Sequence, residues 1–267
     1  ASEPNECDPV DVVWDEQGRM FVAEMGDYPM PAGDGPFLSR IRLLSDTDKD
    51  GVMDQATTWA DNLDHVQGLL PMNGGLVATT RTAILFLKDT DGDNKADLRK
   101  KLFEQNEPRH NQLQVSSPRW GLDNAIYFNN GLYLKEIYPA DVPEDKIDAK
   151  SRNLRFDPYR KKLTAVGGRG QFGATIDNWN RHFFSTNRNP IIFAVMQEDA
   201  AKRNPFAAIT KLQEDIEEPG AKLRPLQLSH TTSVAHAGTY TAACGNSIYR
   251  GDLLPELAGN IFVCDPT

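Results

Sequence analysis

Short apolar runs separated by turn residues recur along the whole chain. Five times, a turn that contains Gly or Asn leads into a run of β-forming residues, which is the pattern of a β-hairpin. These segments cover residues 15–26, 72–80, 122–131, 176–187 and 257–265. No apolar run reaches the roughly 18 residues that a transmembrane helix needs. The pattern therefore predicts an all-β protein with no membrane span in this chain.

The spacing of the hairpins predicts a repeated four-stranded sheet. Several hairpins are followed by another strand pair, and such repetition is typical of the radially arranged blades of a β-propeller. The predicted blades cover residues 9–63, 64–107, 110–169 and 171–228, with a shortened fifth blade from about residue 240. Within them, the polar or helix-prone stretches 136–152 and 197–220 are predicted to be loop insertions.

The end of the sequence leads to an expectation about completeness. A propeller closes its ring to avoid open sheet edges, whereas this sequence stops at Thr267, after the second strand of a blade. We therefore expect residues 1–267 to form a single propeller domain that is incomplete, with about four and a half blades. The remaining blades would come from further sequence or from another chain. A compact four-bladed ring with an extra hairpin is the alternative.

Two acidic loops recur 43 residues apart, DTDKDGVMD from Asp46 and DTDGDNKAD from Asp89. Aspartates occupy loop positions 1, 3, 5 and 9 in both, and such an all-oxygen set suits Ca2+. Neither loop is a complete EF-hand, because position 12 holds Thr57 or Lys100 and strand-like runs flank the loops. The alternative is a solvated Asp-rich turn. The predicted Ca2+ ligands are Asp46, Asp48, Asp50, Asp54, Asp89, Asp91, Asp93 and Asp97.

Composition and charge restrict the class of protein. Of the 267 residues, 39% are hydrophobic and 25% are charged, which is ordinary for a globular protein. The net charge of −9 disfavours nucleic acid, because phosphate contacts depend on Lys and Arg. The chain begins with Ala1, as a mature protein does after signal-peptide removal. We expect an exported protein, periplasmic or extracellular, where Ca2+ is abundant.

The three cysteines fit the same compartment. Cys244 and Cys264 flank two β-like halves that are expected to fold back on each other, so we predict a disulfide between them and an unpaired Cys7. Three reduced thiols are the alternative. The sequence contains no CxxCH motif, so this chain carries no c-type haem attachment. It also lacks GxSxG and a P-loop, which disfavours a serine hydrolase and a nucleotide-binding protein.

A resemblance to a known family is carried by six ordered segments: VVWDEQGRMFVAEM, RIRLLSDTDKDGVMD, FLKDTDGDNKADLRK, RWGLDNAIYFNNG, FGATIDNWNRHFFSTNRNP and CGNSIYRGDLLPELAGNIFVC. They resemble the N-terminal propeller of large secreted proteins of planctomycetes and verrucomicrobia that are named membrane-bound dehydrogenases. The likeness covers almost the whole chain. That family is similar to the six-bladed, soluble sugar dehydrogenases that depend on pyrroloquinoline quinone (PQQ). The resemblance therefore implies a six-bladed type of propeller, which members often continue into helical-repeat and haem c domains.

The resemblance also implies a set of site residues. Gln67 in HVQGLLP matches the glutamine that lies beside the cofactor in the sugar dehydrogenases. His110 and Asn111 in RHNQLQ match the pair that supplies the base. Arg188 and Asn189 in STNRNP match the turn that binds quinone oxygens. The predicted catalytic residues are His110 and Arg188, and the predicted cofactor ligands are Gln67, Asn111, Arg188 and Asn189.

Chemistry makes sense of these residue types. A neutral imidazole accepts the hydroxyl proton of a sugar while hydride passes to the quinone, and a guanidinium stabilises the developing oxyanion. We predict a PQQ-dependent dehydrogenase of a sugar or alcohol that passes electrons to a haem domain or a c-type cytochrome. The first alternative is a non-catalytic, Ca2+-stabilised platform for a glycan or a protein, and the second is a Ca2+-dependent hydrolase or lactonase. His230 and His236 are further candidates for the central channel.

Overall fold

The structure is a computed structural model that describes residues 3, 5–29, 33, 35–105, 110–206, 208–216 and 238–265. Antiparallel sheets make up nearly all of its regular structure. Contacts divide the chain into two compact units, Ala1–Pro118 with Tyr133–Lys150 and Arg119–Leu132 with Ser151–Thr267. In the part of the chain that is described, none of the helices has the length and apolar character needed to span a bilayer.

The first unit contains two sheets whose neighbouring strands follow chain order. The first sheet consists of β1 (Pro9–Trp14), β2 (Met20–Glu24), β3 (Ser39–Ser45) and β4 (Gln55–Leu63). The second has six strands, of which the first four are β5 (Gly68–Met72), β6 (Gly75–Thr79), β7 (Ala83–Lys88) and β8 (Leu98–Gln105). The third sheet consists of β9 (Ser116–Trp120), β10 (Ile126–Asn129), β13 (Asn153–Asp157) and β14 (Lys162–Val166). The fourth sheet consists of β15 (Phe172–Ile176), β16 (His182–Thr186), β17 (Asn189–Ala194) and β18 (Gln213–Asp215). A final hairpin consists of β19 (Cys244–Ile248) and β20 (Ile261–Cys264).

The predicted all-β fold is confirmed. Each four-stranded antiparallel meander has the strand order of a propeller blade, and the β19–β20 hairpin supplies half of another. These four and a half blades fall within the predicted blade boundaries, except that two strands of the second sheet lie inside the range predicted for the third blade. The hairpin turns are local features of sequence, which explains why the blade series was visible in the apolar pattern.

The two predicted loop insertions contain regular structure instead. Residues 136–152 include β11 (Glu136–Pro139) and β12 (Ile147–Asp148), which extend the second sheet beyond β8. Ile137 of β11 lies opposite Gln105 and is buried, so the extension adds to the core of the first unit. Residues 197–220 include α1 (Glu198–Lys202) and β18, the fourth strand of the fourth blade. The loop prediction was wrong for the three strands, whereas α1 lies in a stretch that was predicted to be helix-prone.

One hairpin turn is repeated in different blades with the same hydrogen bonds. Oδ1 of Asp15 accepts the backbone N–H groups of the residues two and four positions later, and Oδ2 accepts Nε of Arg19. Asp177 makes the same three bonds with its own turn and with Arg181. The fourth turn residue is Gly18 in one case and Asn180 in the other, both at positive φ, which these residue types tolerate.

The start of β5 is held closely within the first unit. A Cβ on Gly68 would lie 2.8 Å from Cδ of Pro118, so only glycine fits here without a shift. The next residue, Leu69, donates its backbone N–H to Oδ2 of Asp11 in β1 at 2.9 Å. These contacts fix the backbone directly after Gln67, the first of the predicted site residues.

Candidate functional site

Gln67 and Arg81 lie at the same edge of the second blade. Gly68 at the start of β5 pairs with Thr79 at the end of β6, and the backbone N–H of Gln67 donates to the oxygen of Thr79 at 2.7 Å. Arg81 lies in the short turn between β6 and β7. The antiparallel pairing therefore brings a residue before β5 and a residue after β6 together.

Two of the predicted cofactor ligands are in contact. Nε2 of Gln67 donates to the backbone oxygen of Asn111 at 2.8 Å, and Gln67 is only 9% exposed. Nη1 of Arg81 lies 3.5 Å from Oδ1 of Asn111. An amide, a carbonyl and a guanidinium thus lie side by side, a set that suits a polar or anionic ligand.

Asp64 connects Arg81 to His65. Its Oδ1 accepts Nε of Arg81 at 2.9 Å and Nδ1 of His65 at 2.9 Å. None of these three residues was predicted to be a site residue. Their only sequence signal was position, because Asp64 and His65 precede Gln67 and Arg81 lies in a two-strand turn that returns to the same edge.

His65 is held in an unfavourable state. It is fully buried with φ of 48°, and its Nε2 has no hydrogen-bond partner among the described residues. A non-glycine residue in this backbone region costs on the order of 1–3 kcal/mol. A buried nitrogen without a partner costs about 1–3 kcal/mol more. Strain of this kind is maintained only where the surrounding structure imposes it.

His110, the predicted base, presents a hydrogen-bond donor in this structure. Its Nδ1 accepts the backbone N–H groups of Gln112 and Leu113, at 3.1 and 3.2 Å. The neutral ring therefore carries its proton on Nε2. The ring stacks on Tyr133 with 5.8 Å between centroids. To accept a proton, Nδ1 of His110 must first release these two backbone donors.

Arg188 and Asn189 lie in the second unit, at the turn between β16 and β17. Arg188 is exposed. The Asn189 side chain is bound within its own sheet, because Nδ2 donates to Oδ2 of Asp215 at 3.1 Å and Oδ1 accepts the hydroxyl of Thr186 at 2.8 Å. Arg188 therefore presents a cation to solvent, whereas Asn189 first has to leave Asp215 to bind a ligand.

The fourth blade repeats the glutamine of the second blade. Gln171 directly precedes β15, as Gln67 precedes β5, and its backbone N–H donates to the oxygen of Ser185 at 2.8 Å. Its Nε2 donates to Oδ1 of Asn187 at 2.9 Å, and its Oε1 accepts the backbone N–H of the same residue. Gln171 was not predicted as a site residue, because its glycine-rich segment GGRGQFG matches none of the motifs that point to a site in this sequence.

The glycines of GGRGQFG are required by packing. A Cβ on Gly170 would lie 2.3 Å from Oδ1 of Asn129. Gly173 has a φ of 66°, and its Cβ would lie 2.5 Å from the backbone nitrogen of Asn246. Close approach to neighbouring backbone and amide groups thus explains the motif without a phosphate ligand.

The acidic loops join strands, as predicted. The first connects β3 to β4 and the second connects β7 to β8. In the first loop, one carboxylate oxygen from each of three residues lies within 4.8 Å of the others, and the same holds in the second loop. Asp93 is instead bound through Oδ1 to the backbone N–H of Lys95. The two groups are Asp46, Asp48 and Asp50, and Asp89, Asp91 and Asp97.

The ninth position of each loop closes the turn. The hydroxyl and backbone N–H of Thr47 donate to the carboxylate of Asp54, and these bonds hold the pKa of Asp54 below its usual range. Thr90 has the same bonds with Asp97, with the same effect on the pKa of that carboxylate. Both groups are therefore ionised at neutral pH, the state that a cation needs.

The second acidic loop also contacts the first blade. The backbone N–H of Ala96 donates to the oxygen of Trp59 in β4 at 2.7 Å. Arg99, just after the loop, donates to the backbone oxygen of Asp61 at 2.7 Å and pairs with its carboxylate at 3.0 Å. The loop thus ties the β7–β8 connection of the second blade to β4 of the first.

The predicted disulfide is not formed. Cys7, Cys244 and Cys264 are all free thiols, although Cys244 and Cys264 lie opposite each other in the β19–β20 pairing. The fold-back of the two strands was predicted correctly, but facing positions in a hairpin do not by themselves meet the sulfur geometry of a bond. Burial raises the pKa of Cys244, and the neighbouring Cys264 and Asp265 add to that effect. His230 and His236 lie outside the described residues.

A second polar cluster lies in the second unit. The phenol of Tyr127 donates to Oδ2 of Asp123 at 3.0 Å, and Arg155 donates to the same oxygen at 2.8 Å. Burial, with the charge of Asp123, raises the pKa of Tyr127 to about 12. Burial also lowers the pKa of His182, whose ring meets Tyr127 edge-on at 4.1 Å. Tyr127 therefore stays protonated near neutral pH, which is unsuitable for a base.

Comparisons with known proteins give one family and several solved structures. A family model described as a domain of unknown function, DUF7133, matches residues 1–267. No curated protein matches the chain. Among solved structures, the holo PQQ domain of pyranose dehydrogenase from Coprinopsis cinerea has 14% identity and a TM-score of 0.47. A calcium structure of a family AA12 carbohydrate-active enzyme from Trichoderma reesei has 15% sequence identity and a TM-score of 0.45. The apo form of the soluble aldose sugar dehydrogenase from Escherichia coli has 12% sequence identity and a TM-score of 0.45.

Coverage differs among these three structures. The match covers 70% of this chain for the first two and 96% for the third. The chain spans only 44% and 45% of the first two proteins, and 80% of the third. The chain is thus shorter than each of the proteins it resembles in these comparisons.

Proposed function

The chain belongs to the DUF7133 family, and we propose that it is part of a quinoprotein-like dehydrogenase that oxidises a sugar or an alcohol. The observation that carries the proposal is the 2.8 Å hydrogen bond from Nε2 of Gln67 to the backbone oxygen of Asn111. The resemblance to sugar dehydrogenases predicts both residues beside one cofactor, and they come from connections that precede two different blades. Their contact supports a shared site.

The residues of this chain fit a polar, electron-accepting cofactor. When bound, PQQ supplies the two-electron acceptor of the reaction. Gln67 and Asn111, which are in contact within the first unit, would hold it. Nε2–H of His110 donates to a substrate or cofactor oxygen, and Nδ1 accepts a proton once it has left the backbone N–H groups of Gln112 and Leu113.

Ca2+ is proposed as a structural ion of the acidic loops. Each loop gathers three carboxylates within 4.8 Å, and hard oxygen donors suit this cation. Because the second loop donates a hydrogen bond to Trp59, an ion there would stabilise the contact between this loop of the second blade and β4 of the first. An exported location, periplasmic or extracellular, would supply Ca2+ at the concentration that such exposed loops need.

The proposal extends to the rest of the protein. We infer that the chain is the N-terminal propeller of a secreted protein of the planctomycete and verrucomicrobial type, and that electrons pass to a haem domain or a c-type cytochrome. An apolar face of β1 supports further blades. Val12 is 40% exposed and Trp14 is 55% exposed, on the same side of the strand. A neighbouring blade from further sequence or another chain would cover this face.

A non-catalytic platform for a glycan is the second candidate, and one residue favours it. Trp179 is 75% exposed in the turn before β16. The equivalent position of the repeated turn before β2 holds Gln17, so the turn itself does not need an aromatic ring. The guanidinium of Arg181 lies 5.0 Å from the centroid of the Trp179 ring, and the exposed remainder of the indole offers a flat apolar surface for a sugar ring.

Calorimetry separates the two candidates. PQQ is titrated into the Ca2+-loaded chain, and the dehydrogenase proposal predicts saturable binding with one site. Gln67→Leu should weaken that binding, whereas Gln17→Leu, an exposed matched control, should leave it unchanged. If the wild-type chain gives no heat and no quinone spectrum, the dehydrogenase proposal is wrong. Retention on a glycan array that is lost in Trp179→Ala would then support the platform.

A further inference from the structure

Two unfavourable features coincide at His65, two residues before Gln67. The residue has a φ of 48° and is fully buried, and its Nε2 lacks a partner among the described residues. Strained backbone and unsatisfied buried atoms concentrate at functional sites, where the surrounding structure maintains them for a purpose. The hydrogen-bond partners of His65 indicate which function this strain serves.

The hydrogen bonds of His65 and Asp64 lead to Arg81. Nδ1 of His65 donates to Oδ1 of Asp64, and the same oxygen accepts Nε of Arg81, both at 2.9 Å. The backbone N–H of Arg81 also donates to the backbone oxygen of Asp64 at 2.9 Å, and its carbonyl accepts Nε2 of Gln105. Arg81 is therefore fixed at its backbone and at one edge of its guanidinium.

The opposite end of the Arg81 guanidinium is available. Only the 3.5 Å contact between Nη1 and Oδ1 of Asn111 engages the terminal nitrogens within the described residues. The side chain is 24% exposed, and Arg81 and Gln67 both contact Asn111. A guanidinium held in one orientation with a free terminal fork is preorganised for a carboxylate, which it binds through two parallel hydrogen bonds.

We propose that Arg81 is an anion-binding side chain of the Gln67–Asn111 site, that it takes a carboxylate of the bound ligand, and that Asp64 with His65 positions it. The inference rests on the proposed function for the location of the site. The carboxylate has two possible sources, the cofactor, which carries three carboxylates in PQQ, or an acidic sugar substrate. Asp64 occupies the Nε edge only, so the incoming carboxylate does not have to displace it.

The test compares PQQ with its trimethyl ester, which lacks the carboxylates, by calorimetry on the full Ca2+-loaded chain. Arg81→Gln should weaken PQQ binding at least about tenfold and leave ester binding unchanged, since only the acid form meets the fork. Arg81→Lys should restore little, because an ammonium lacks the planar fork. Arg99→Gln, an exposed arginine of the same unit, is the control. A role confined to folding would weaken acid and ester equally, which overturns the inference.

The positioning role has its own measurement. His65→Asn keeps a residue type that tolerates positive φ but removes the ring. It should weaken PQQ binding less than Arg81→Gln does, and it should have no further effect in the Arg81→Gln background. Equal effects in both backgrounds would overturn the positioning role, since the His65 contribution would then not pass through Arg81.

Two further outcomes identify the source of the carboxylate and separate the inference from the proposed function. If Arg81→Gln leaves PQQ binding unchanged but raises KM for glucuronate and not for glucose, the substrate supplies the carboxylate. If the wild-type chain binds no PQQ, the proposed function fails. Titration with benzene-1,3,5-tricarboxylate then decides the inference: binding lost in Arg81→Gln supports it, and equal or absent binding in both proteins overturns it.

Discussion

Gln67 donates from Nε2 to the backbone oxygen of Asn111 at 2.8 Å, and the two residues are 44 positions apart in the sequence. In the fourth blade, Gln171 stands at the equivalent position before its first strand and donates to Oδ1 of Asn187 at 2.9 Å. A glutamine before the innermost strand thus binds a connecting segment in both blades. Only in the second blade does that bond reach the segment that leads into the next blade.

Replacing Gln67 should destabilise the chain. Gln67→Leu removes the donor to Asn111 and places an apolar group beside Arg81, so we expect the free energy of unfolding to fall by about 1–3 kcal/mol. Urea denaturation measures the change. Gln17→Leu, at an exposed turn position, should shift it by less than about 0.5 kcal/mol. Equal stabilities of the two variants would show that the bond to Asn111 contributes nothing.

Removal of Ca2+ should lower the melting temperature. EGTA strips a cation from the carboxylate groups of the acidic loops, and a ligand that binds only the folded state stabilises it by mass action. The double variant Asp46→Ala, Asp89→Ala should melt at the EGTA value with or without added Ca2+. A melting temperature that does not change in EGTA would show that neither loop binds a stabilising Ca2+.

Acidification should destabilise the loops without any metal. The pKa values of Asp54 and Asp97 are lowered in the folded state by the bonds from Thr47 and Thr90. A lowered folded pKa stabilises the protein above the unfolded value of about 3.9, and this contribution is lost as pH falls through the folded pKa.

The pH effect is measured as melting temperature in EGTA between about pH 5 and pH 2. The double variant Thr47→Val, Thr90→Val removes the hydroxyl donors to Asp54 and Asp97 and should show a shallower decline over that range. The same slope in variant and wild type would mean that these carboxylates do not control the acid response.

The cysteines should titrate as three thiols. Cys7, Cys244 and Cys264 are free, and Cys264 is the exposed member of the facing pair. Burial raises the pKa of Cys244, which reduces its thiolate fraction, so Cys264 should react with a disulfide reagent faster than Cys244. Thiol counting in denaturant and Cys264→Ser in the native state check both points. One thiol per denatured chain would instead show a closed Cys244–Cys264 bridge.

Local sequence predicted most of the fold. The turn of Asp15 and Arg19 closes through bonds within five residues, and so does the turn of Asp177 and Arg181. Such bonds leave a readable sequence pattern. By contrast, β11 pairs with β8 across more than thirty residues and β12 pairs with β11, and nothing in their polar sequence indicated that β8 was the partner. A strand that is specified by its neighbour rather than by its own pattern stays hidden from a single sequence.

The candidate site was predictable only where a motif or a resemblance pointed to it. Gln67 and Asn111 came from the resemblance, and the structure places them in contact. Arg81 and Asp64 are 17 positions apart and meet because β5 and β6 return the chain to one edge. Pairing geometry of this kind follows from register, which the sequence does not state directly.

The bond from Ala96 to Trp59 has a consequence for biosynthesis. The second acidic loop donates a backbone hydrogen bond to β4. The loop therefore reaches its final conformation only after the first blade has formed. A polypeptide that emerges from its N-terminus meets this requirement in the order of its synthesis. Circular permutants that start at residue 64 would reverse that order of synthesis.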